Sequence, residues 1–327
     1  MNGARELDAI VPYFEDGANL AVLLRALEAQ TVVPRSVIVV DDGSWKEPAV
    51  SVLARTPTRL NVRVVRQANE GAASARNRGA FEAGAETLAF VDSDCIPDPD
   101  WLASMARALD ENGLDVAYGS VRSDSGFPYP RWTAPGGQAM ISASIALRRG
   151  AFQRLGGFDE SYFGYREDTD FGLRACAAGL SVGCSTRGGT YHPVRRQGFR
   201  RLWRAGLLHA NDPLLARRHG REVFNDLGQP ITKPSIPPGL SPAGVALSVI
   251  LVGACASAAR NSLYAAAAWL ALGLTSMAVG TFAASLPFAA RRTPTELLTN
   301  AAAGVPYLCG WYVGRVQGSL RYRTWCL

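Results

Sequence analysis

The sequence predicts an α/β fold in which a mostly parallel sheet is flanked by helices. Two patterns lead to this prediction. Through the first 125 of the 327 residues, short runs rich in Val, Ile and Leu alternate with segments that carry apolar residues at helical spacing, the order of βαβ units. Several apolar runs also end in acidic residues, at the edge where open α/β sheets bind their ligands.

The first strand and helix show the pattern clearly. The apolar segment LDAIVPYF begins at Leu7, and Leu20, Leu23, Leu24 and Leu27 then follow the spacing of a helix that packs on a sheet. The later predicted strands are SVIVVDD, LNVRVVR, TLAFVD, LDVAYGSV and MISASIALRR, the last leading into a short helix. The later predicted helices are KEPAVSVLAR, ASARNRGAFEAG, DWLASMARALDEN and REDTDFGLRACAAG, the last ending at Gly179.

The composition of the chain changes near residue 225. Residues 226–242 contain five prolines and predict a linker. The 17 residues Ala243–Ala259 and the longer run Asn261–Ala290 carry no charge, and a helix of about 20 apolar residues spans a bilayer. Because both runs are rich in Ala and Gly, a pair of buried core helices is the alternative.

A third apolar segment, Leu297–Val316, contains Asn300, Pro306 and Arg315. A membrane span, a re-entrant segment and an interfacial helix all fit this composition. We therefore predict three parts of the chain. They are a globular α/β domain over residues 1–225, a linker over residues 226–242, and a helical membrane region of two or three segments over residues 243–327.

Charge is distributed unevenly along the chain. From Tyr191 onward there are 15 Lys and Arg but only four acidic residues, and a basic block precedes the apolar runs. Arginine beside a membrane segment indicates the cytoplasmic side, and the amino-terminal stretch MNGARELDAIVPYF has no apolar signal core. The prediction is a protein of the inner cell membrane with a cytoplasmic α/β domain. A nucleic-acid partner is not expected, because the basic block is single, short and next to the apolar runs.

The six cysteines are scattered, without a CxxC pair or zinc-type spacing, which is typical of reduced thiols. Among the six cysteines, only Cys95 lies near the acidic pair Asp92 and Asp94. We interpret it as a small apolar residue that fills space in the core.

Four polar motifs follow predicted strands or begin a helix, and each also has an ordinary structural interpretation. The first, Asp41-Asp42-Gly43-Ser44, is typical of a turn. The second motif, NEGAASARNRG, contains small residues that let a ligand approach the backbone closely. It also contains Arg76, whose side chain can bind a phosphate or the edge of a base. The third and fourth are the pairs Asp92/Asp94 and Glu167/Asp168.

Asp92 and Asp94 lie after a buried strand, where two hard oxygen donors suit a divalent cation shared with a phosphate. A calcium loop of the EF-hand type does not fit, because Pro97 occupies the position of its glycine and Ala103 that of its glutamate. The neighbouring Asp98 and Asp100 are predicted to cap the next helix.

The fourth motif lies at the start of the last predicted helix. Glu167 and Asp168 occupy the end where the helix dipole stabilises carboxylates, and a carboxylate held there is also a plausible general base. Asp170 and Arg174 are expected to form a structural i, i+4 pair. His192, after a strand-like segment, is a possible third metal ligand.

Five segments, in this order, resemble glycosyltransferase family 2, the inverting nucleotide-sugar transferases of the GT-A type, a Rossmann-like fold. They are IVPYFEDGANLAVLLRALEAQT, VVDDGS, NEGAASARNRG, FVDSDCIPDPDWL and GGFDESYFGYREDTDFGLR. The resemblance covers about residues 7 to 220. It implies a nucleoside diphosphate sugar donor and Mg²⁺ or Mn²⁺ as cofactor.

The resemblance also implies roles for individual residues. Asp168, with Glu167, becomes the base that deprotonates the acceptor hydroxyl, and Asp94 becomes the principal metal ligand. The implied nucleotide-sugar contacts are Pro12, Phe14, Glu15, Asp41 (to the base), Arg76, Asp92 (to the ribose) and Ser93. The implied metal ligands are Asp92, Asp94 and His192. The implied acceptor or diphosphate contacts are Gly157, Gln197 and Arg200.

Two departures from the family pattern are visible. The segment QGFRRLW is similar to the QxxRW box of processive members, but Trp203 is displaced by one residue. Where the family has Pro-x-Tyr-Asn, this chain has Pro12-Tyr13-Phe14-Glu15.

The expected function is inverting sugar transfer to a lipid-linked saccharide or glycolipid at the cytosolic membrane face, with membrane lipid as a partner. Two alternatives stay open, a nucleotidyltransferase and a catalytically silent membrane-anchored scaffold that binds nucleotide sugars. The sequence does not assign the sugar, the base, the acceptor or the oligomeric state.

Overall fold

The computed structural model describes residues 6–123, 142–193, 203–204, 206–220, 223 and 313–323. The chain divides into two compact units, one of Met1–Ser125 and Arg131–Val194 and the other of Gly126–Pro130 and Arg195–Leu327. The predicted linker and the two long uncharged runs lie outside the described residues, so the predicted domain boundaries stay predictions. Among the residues that are described, none of the helices combines the length and the apolar character that crossing a bilayer requires.

The first unit alternates strands and helices, as predicted. Its strands are β1 (Leu7–Tyr13), β2 (Ser36–Asp42), β3 (Val62–Gln67), β4 (Thr87–Phe90), β5 (Ile96–Pro97), β6 (Val116–Ser123), β7 (Ile145–Arg148) and β8 (Val182–His192). Its helices are α1 (Gly17–Glu28), α2 (Ala49–Ala54), α3 (Ala72–Glu82), α4 (Trp101–Glu111), α5 (Arg149–Leu155) and α6 (Glu167–Ala177). A short 3₁₀ turn, Ser142–Ser144, precedes β7.

The eight strands form one sheet in the order β3-β2-β1-β4-β7-β6-β8-β5. The first four strands are parallel, as are β6 and β8. The prediction of a mostly parallel sheet is wrong for β7, which is antiparallel to both β4 and β6, and for β5, which is antiparallel to β8. Antiparallel neighbours need no crossover helix, and the segment between β6 and β7 carries no helical pattern.

Helices cover both faces of the sheet. Along β1, Ala9 and Val11 belong to one buried cluster, together with the fully buried leucine stripe of α1 and with Trp101 of α4. Ile10, between them, belongs to the opposite cluster, together with alanines of α3 and with Phe171 of α6. The alternation follows from the two-residue period of a strand, and it confirms the predicted helix stripe of α1.

The predicted capping of α4 is confirmed in position for Asp100 but not for Asp98, and neither side chain makes a capping bond. Asp98 accepts hydrogen bonds from Arg122 Nη1 (2.7 Å) and Nη2 (2.5 Å) and from the Gly189 N–H (2.9 Å). Asp100 occupies the N-cap position without a side-chain capping bond. Asp98 instead joins this turn to β6 and β8, because an arginine of β6 and a backbone N–H of β8 lie within its reach.

The second unit contains α7 (Asp212–His219), which follows a 3₁₀ turn at Leu208–Asn211, and a helix over residues 313–322. Asp212 is fully buried and accepts hydrogen bonds from Arg315 Nε (2.8 Å), and its carboxylate lies 2.7 Å from Arg315 Nη2 and 2.8 Å from His209 Nδ1. A buried carboxylate is tolerated when it is paired in this way. Arg315 lies in the third predicted apolar segment, most of which is outside the described residues.

Candidate active site

The parallel strands β1, β2 and β4 end at one edge of the sheet, and the predicted acidic residues follow them there. Tyr13 lies beside Asp41, and Ile10 of β1 lies beside Phe90, the last residue of β4. The segment from Asp92 to Asp94 leaves β4 at this edge. Open α/β sheets bind ligands at the carboxyl ends of their strands, so the sheet brings the first and third polar motifs together as predicted.

Arg76 connects the third polar motif to the fourth. Its Nη2 donates to Asp92 Oδ1 at 2.7 Å, and its Nη1 donates to Glu167 Oε1 at 2.9 Å. Only 3% of the arginine side chain is exposed. The guanidinium fork of arginine is rigid and holds two carboxylates in a defined geometry, so Arg76 fixes α6 relative to the segment after β4.

This position differs from the one predicted for Arg76, which was a direct contact with the nucleotide. Both terminal amino groups are occupied within the chain, and the buried Nε has no hydrogen-bond partner. Arg76 therefore lies on the buried side of the site and positions the carboxylates of Asp92 and Glu167. The difference arises because the arginine points into the sheet side of α3, which the pattern NEGAASARNRG does not reveal.

Glu167 and Asp168 are neighbours in sequence but occupy different environments. Glu167 is buried against Arg76, and its Oε2 has no hydrogen-bond partner. Asp168 is half-buried. Its Oδ1 accepts from the Thr169 N–H at 2.7 Å and its Oδ2 accepts from the Ser142 N–H at 3.2 Å. Asp168 is thus the more accessible of the two carboxylates and is held at a fixed angle by backbone groups.

The electrostatics of the pair favour the protonated forms. Burial raises the pKa of Glu167 above its ordinary value, the charge of Asp168 adds to the rise, and Arg76 offsets part of it. Burial also raises the pKa of Asp168, although Arg76 and the N–H groups of Ser142 and Thr169 act in the opposite direction. A carboxyl group whose pKa is raised is a stronger base than an ordinary aspartate, which suits proton abstraction.

A mixed group of metal-type donors includes Asp94, in the segment after β4, and His192, the last residue of β8. Asp94 Oδ1 is 3.4 Å from His192 Nε2, and both side chains are partly exposed. Among the described residues, the group in which three donor atoms lie within 4.8 Å of one another consists of Asp94, Cys95 and His192. The prediction that His192 joins Asp94 agrees with this arrangement, whereas Asp92 is not a member of the group.

Asp92 is not a member of the group, and its Oδ1 pairs with Arg76. A partly exposed carboxylate and imidazole 3.4 Å apart are donors that fit Mn²⁺ or Mg²⁺, with water or a phosphate completing the shell. The sequence does not identify Cys95 as a member of the site, because an isolated cysteine between Asp94 and Ile96 carries no metal-binding spacing.

Asp41 and Asp42 stabilise the loops around the site. The buried Asp41 accepts from the N–H groups of Ser44 (2.8 Å) and Ala49 (2.9 Å). Asp42 accepts from the N–H groups of Glu70 and Gly71, both at 2.9 Å. These bonds account for the DDGS and NEG sequences as turns, and the contact of Asp41 with a nucleobase stays a prediction.

Glu15 holds the loop after β2 in place. Its Oε1 accepts from the N–H groups of Trp45 (2.6 Å) and Lys46 (2.8 Å), and its Oε2 accepts from the Glu47 N–H (2.9 Å). Desolvation acts to raise the pKa of Glu15, but the three N–H groups outweigh it and lower that pKa below its ordinary value. Glu15 has a positive φ of 52°. In this geometry the glutamate orders a loop, and its contact with the nucleotide stays a prediction.

We expect Glu15→Gln to loosen this loop. The amide side chain has one oxygen instead of two and adds an N–H₂ group that faces backbone donors. Hydrogen–deuterium exchange is expected to become faster at residues 45–47 and to stay unchanged in α3. Glu28→Gln, which alters a carboxylate bonded to Thr58 and Arg59, is the matched control. Equal exchange at residues 45–47 in the wild type and Glu15→Gln would contradict this role.

The other predicted site residues occupy varied positions. Phe14 is 48% exposed at the end of β1, and Pro12 and Ser93 are partly exposed at the same edge. Gly157 is buried, donates its N–H to Phe152 and accepts from Arg174 through its carbonyl. It therefore has no free backbone polar group to offer an acceptor. Gln197 and Arg200 lie outside the described residues.

The predicted structural pair at the start of α6 is confirmed. Arg174 Nε donates to the fully buried Asp170 at 2.6 Å, and its other amino groups donate to the carbonyls of Leu155 and Gly157. Asp170 thereby anchors α6 to the end of α5, which fixes the position of Glu167 and Asp168.

The comparison with known families decides the class of the first unit. Residues 8–170 match the family model described as Glycosyl transferase family 2. This part of the chain is a glycosyl transferase family 2 domain. The match includes the four polar motifs and ends at Asp170, so it covers every residue of the Arg76 network.

Curated relatives of the family 2 domain share moderate identity. The uncharacterized glycosyltransferase YibD of Escherichia coli is 32% identical over 117 residues, 36% of this chain and 34% of that protein. The succinoglycan biosynthesis protein ExoM of Rhizobium meliloti is 28% identical over 235 residues, 63% of this chain and 75% of that protein. The chain thus spans about a third of the length of the E. coli relative.

A solved structure shares the fold. The crystal structure of S. aureus TarS 1–349 in complex with UDP-GlcNAc has a TM-score of 0.54 and 18% identity, and the similarity covers 98% of this chain and 92% of that one. At this identity the likeness shows the fold alone. It confirms the α/β, GT-A-like part of the predicted fold.

Proposed function

We propose that the protein transfers a sugar from a nucleoside diphosphate sugar to an acceptor hydroxyl, with inversion at the anomeric carbon. The observation that carries the proposal is the network from Asp92 through Arg76 to Glu167, which joins the segment that carries Asp94 to the start of α6, where Asp168 lies. Asp94 Oδ1 also lies 3.4 Å from His192 Nε2. The family 2 match over residues 8–170 supports the reaction class.

Asp168 acts as the general base in this proposal. It accepts the proton of the acceptor hydroxyl while that oxygen attacks the anomeric carbon, and the N–H groups of Ser142 and Thr169 hold its carboxylate during the transfer. General-base catalysis of this kind contributes about 10²–10⁴-fold to a rate. Glu167 keeps Arg76 charged and in place instead of taking the proton itself.

Asp94 and His192 would hold the divalent cation. When bound, Mg²⁺ or Mn²⁺ neutralises the diphosphate leaving group as a Lewis acid. Attack from the face opposite the leaving group requires a base but no enzymatic nucleophile. The partly exposed Asp168 provides this base, whereas Glu167 is buried, with Oε1 bonded to Arg76 and Oε2 inaccessible to solvent.

A lipid-linked saccharide or a glycolipid is the proposed acceptor, at the cytosolic face of the membrane. The support is the basic block from Tyr191 onward and the uncharged runs that follow it, since basic residues next to apolar segments associate with anionic lipid. The succinoglycan relative, whose name refers to a polysaccharide, agrees with an acceptor of this class.

The experiment is a turnover screen with the full chain. UDP-, GDP- and dTDP-sugars are supplied with Mn²⁺ or with chelator, with a lipid extract as acceptor source. Release of nucleotide from one donor, dependent on the metal, is the expected result. Metal-dependent nucleotide binding without turnover would instead favour the scaffold alternative. Formation of a nucleoside diphosphate sugar from a nucleoside triphosphate would favour the nucleotidyltransferase.

A further inference from the structure

Cys95 lies among the metal-type donors of the site. The Sγ atom of Cys95, a carboxylate oxygen of Asp94 and a ring nitrogen of His192 all lie within 4.8 Å of one another. Only 1% of Cys95 is exposed, and its backbone N–H donates to the Asp92 carbonyl at 3.0 Å. The turn that presents Asp94 to solvent therefore fixes the thiol on the inner side of the same group.

The three donors differ in chemical softness. A carboxylate and an imidazole accept Mg²⁺ or Mn²⁺, while a thiolate selects softer ions such as Zn²⁺ and Cd²⁺. Three protein donors of the Asp, Cys and His types, with one position open to water, match the ligand count of catalytic zinc sites. A hard cation needs only the carboxylate of Asp94 and the imidazole of His192. The thiol of Cys95 therefore adds affinity for soft ions, which the proposed transfer reaction does not use.

The distances allow such an ion after a small rearrangement. In a tetrahedral zinc site the bonds are about 2.0–2.3 Å, so donor atoms lie roughly 3.3–3.8 Å apart. Asp94 and His192 are partly exposed, with 28% and 37% of their side chains accessible, so a small side-chain rotation brings their donor atoms to this separation from the Cys95 sulfur. Cys95 is held by the buried cluster around Trp101 and Met105 and does not need to move.

We propose that Asp94, Cys95 and His192 form a mixed-donor site that binds a soft divalent ion through the Cys95 sulfur. On binding, the S–H proton is released to water as the sulfur–metal bond forms, so the step is balanced without an oxidant. The soft ion occupies the place of the activating hard cation and inhibits the reaction. The inhibition rests on the proposed function, but the binding does not.

The test uses Cd²⁺ as the probe, with the full chain. Titration of the wild type is expected to produce the ultraviolet absorption band of a cadmium–thiolate bond. Cys95→Ser is expected to lose that band and to bind Cd²⁺ about tenfold or more weakly, since even outer-shell partners of a ligand contribute about 10–100-fold to metal affinity. The matched control is Cys176→Ser, which replaces an exposed cysteine and is expected to keep both the band and the affinity.

A second readout separates ligation from packing. Mn²⁺ binding, followed by electron paramagnetic resonance, is expected to stay the same in Cys95→Ser, which is close to cysteine in size, and in Cys95→Ala, which removes the donor without adding volume. An unchanged Cd²⁺ band in Cys95→Ser, or an equal loss of Mn²⁺ and Cd²⁺ affinity, overturns the proposal. Because neither readout needs sugar transfer, a wild type that binds Cd²⁺ through Cys95 but turns over no donor would refute the proposed function and leave the site standing.

Discussion

Asp168→Asn is expected to reduce sugar transfer by about 10²–10⁴-fold, the contribution of a positioned general base. Asparagine keeps the shape of the side chain and an oxygen that accepts from Ser142 or Thr169, but it cannot take a proton. Donor affinity is expected to stay the same, because Asp168 bonds to the N–H groups of Ser142 and Thr169, which the asparagine can still bind through its oxygen. The measurement is the turnover rate at saturating donor, beside calorimetric donor binding.

Glu167→Gln is the comparison for this experiment. Its oxygen can still accept from Arg76 Nη1, so a loss of about tenfold or less is expected if Glu167 acts only by positioning Arg76. A larger loss in Glu167→Gln than in Asp168→Asn would assign the base to Glu167 instead. Equal rates for Asp168→Asn and the wild type would remove Asp168 from the mechanism.

Arg76→Met is expected to destabilise the first unit and to abolish transfer together. Removing one partner from a buried ion pair costs about 3–5 kcal/mol, because the remaining charges stay buried without compensation. Here Glu167 loses its Nη1 partner at 2.9 Å and Asp92 loses its Nη2 partner at 2.7 Å. The measurements are the free energy of unfolding in denaturant and the turnover of the protein that remains folded.

Arg78→Met provides the matched control on the same helix. Arg78 is 52% exposed and pairs with Glu82 at 3.0 Å, four residues along α3. Exposed pairs of this kind contribute about 0.3–0.5 kcal/mol, so stability and activity are expected to stay close to the wild type. If both variants lose the same stability, Arg76 has no special position and the network does not organise the site.

Much of the fold follows from residue patterns that local physics determines. The leucine stripe identifies α1 because one face of this helix is buried. The apolar runs identify β1, β2 and β4 because these strands are buried on both faces of the sheet. The directions of β5 and β7 do not follow in this way. Strand direction depends on which neighbours pair across the sheet, and the residues of a four-residue strand are compatible with either direction.

In the candidate site, too, some residues can be identified from the sequence and others only from the folded structure. Asp94, His192 and Asp168 are identifiable because their residue types and their positions after strands or at a helix start match a known chemistry. The inward orientation of Arg76, the loop held by Glu15 and the thiol of Cys95 depend on contacts between residues 16 to 97 positions apart in the chain. Such contacts leave no local pattern, so only the folded structure reveals them.

The central claim is that transfer occurs by a single displacement with Asp168 as base. The most direct measurement is the anomeric configuration of the sugar in the product, determined by NMR once the turnover screen has supplied the donor and acceptor. A single displacement gives a configuration opposite to that of the donor. Retention of the donor configuration would contradict it, because retention requires two displacements or a front-face attack that a single base opposite the leaving group does not provide.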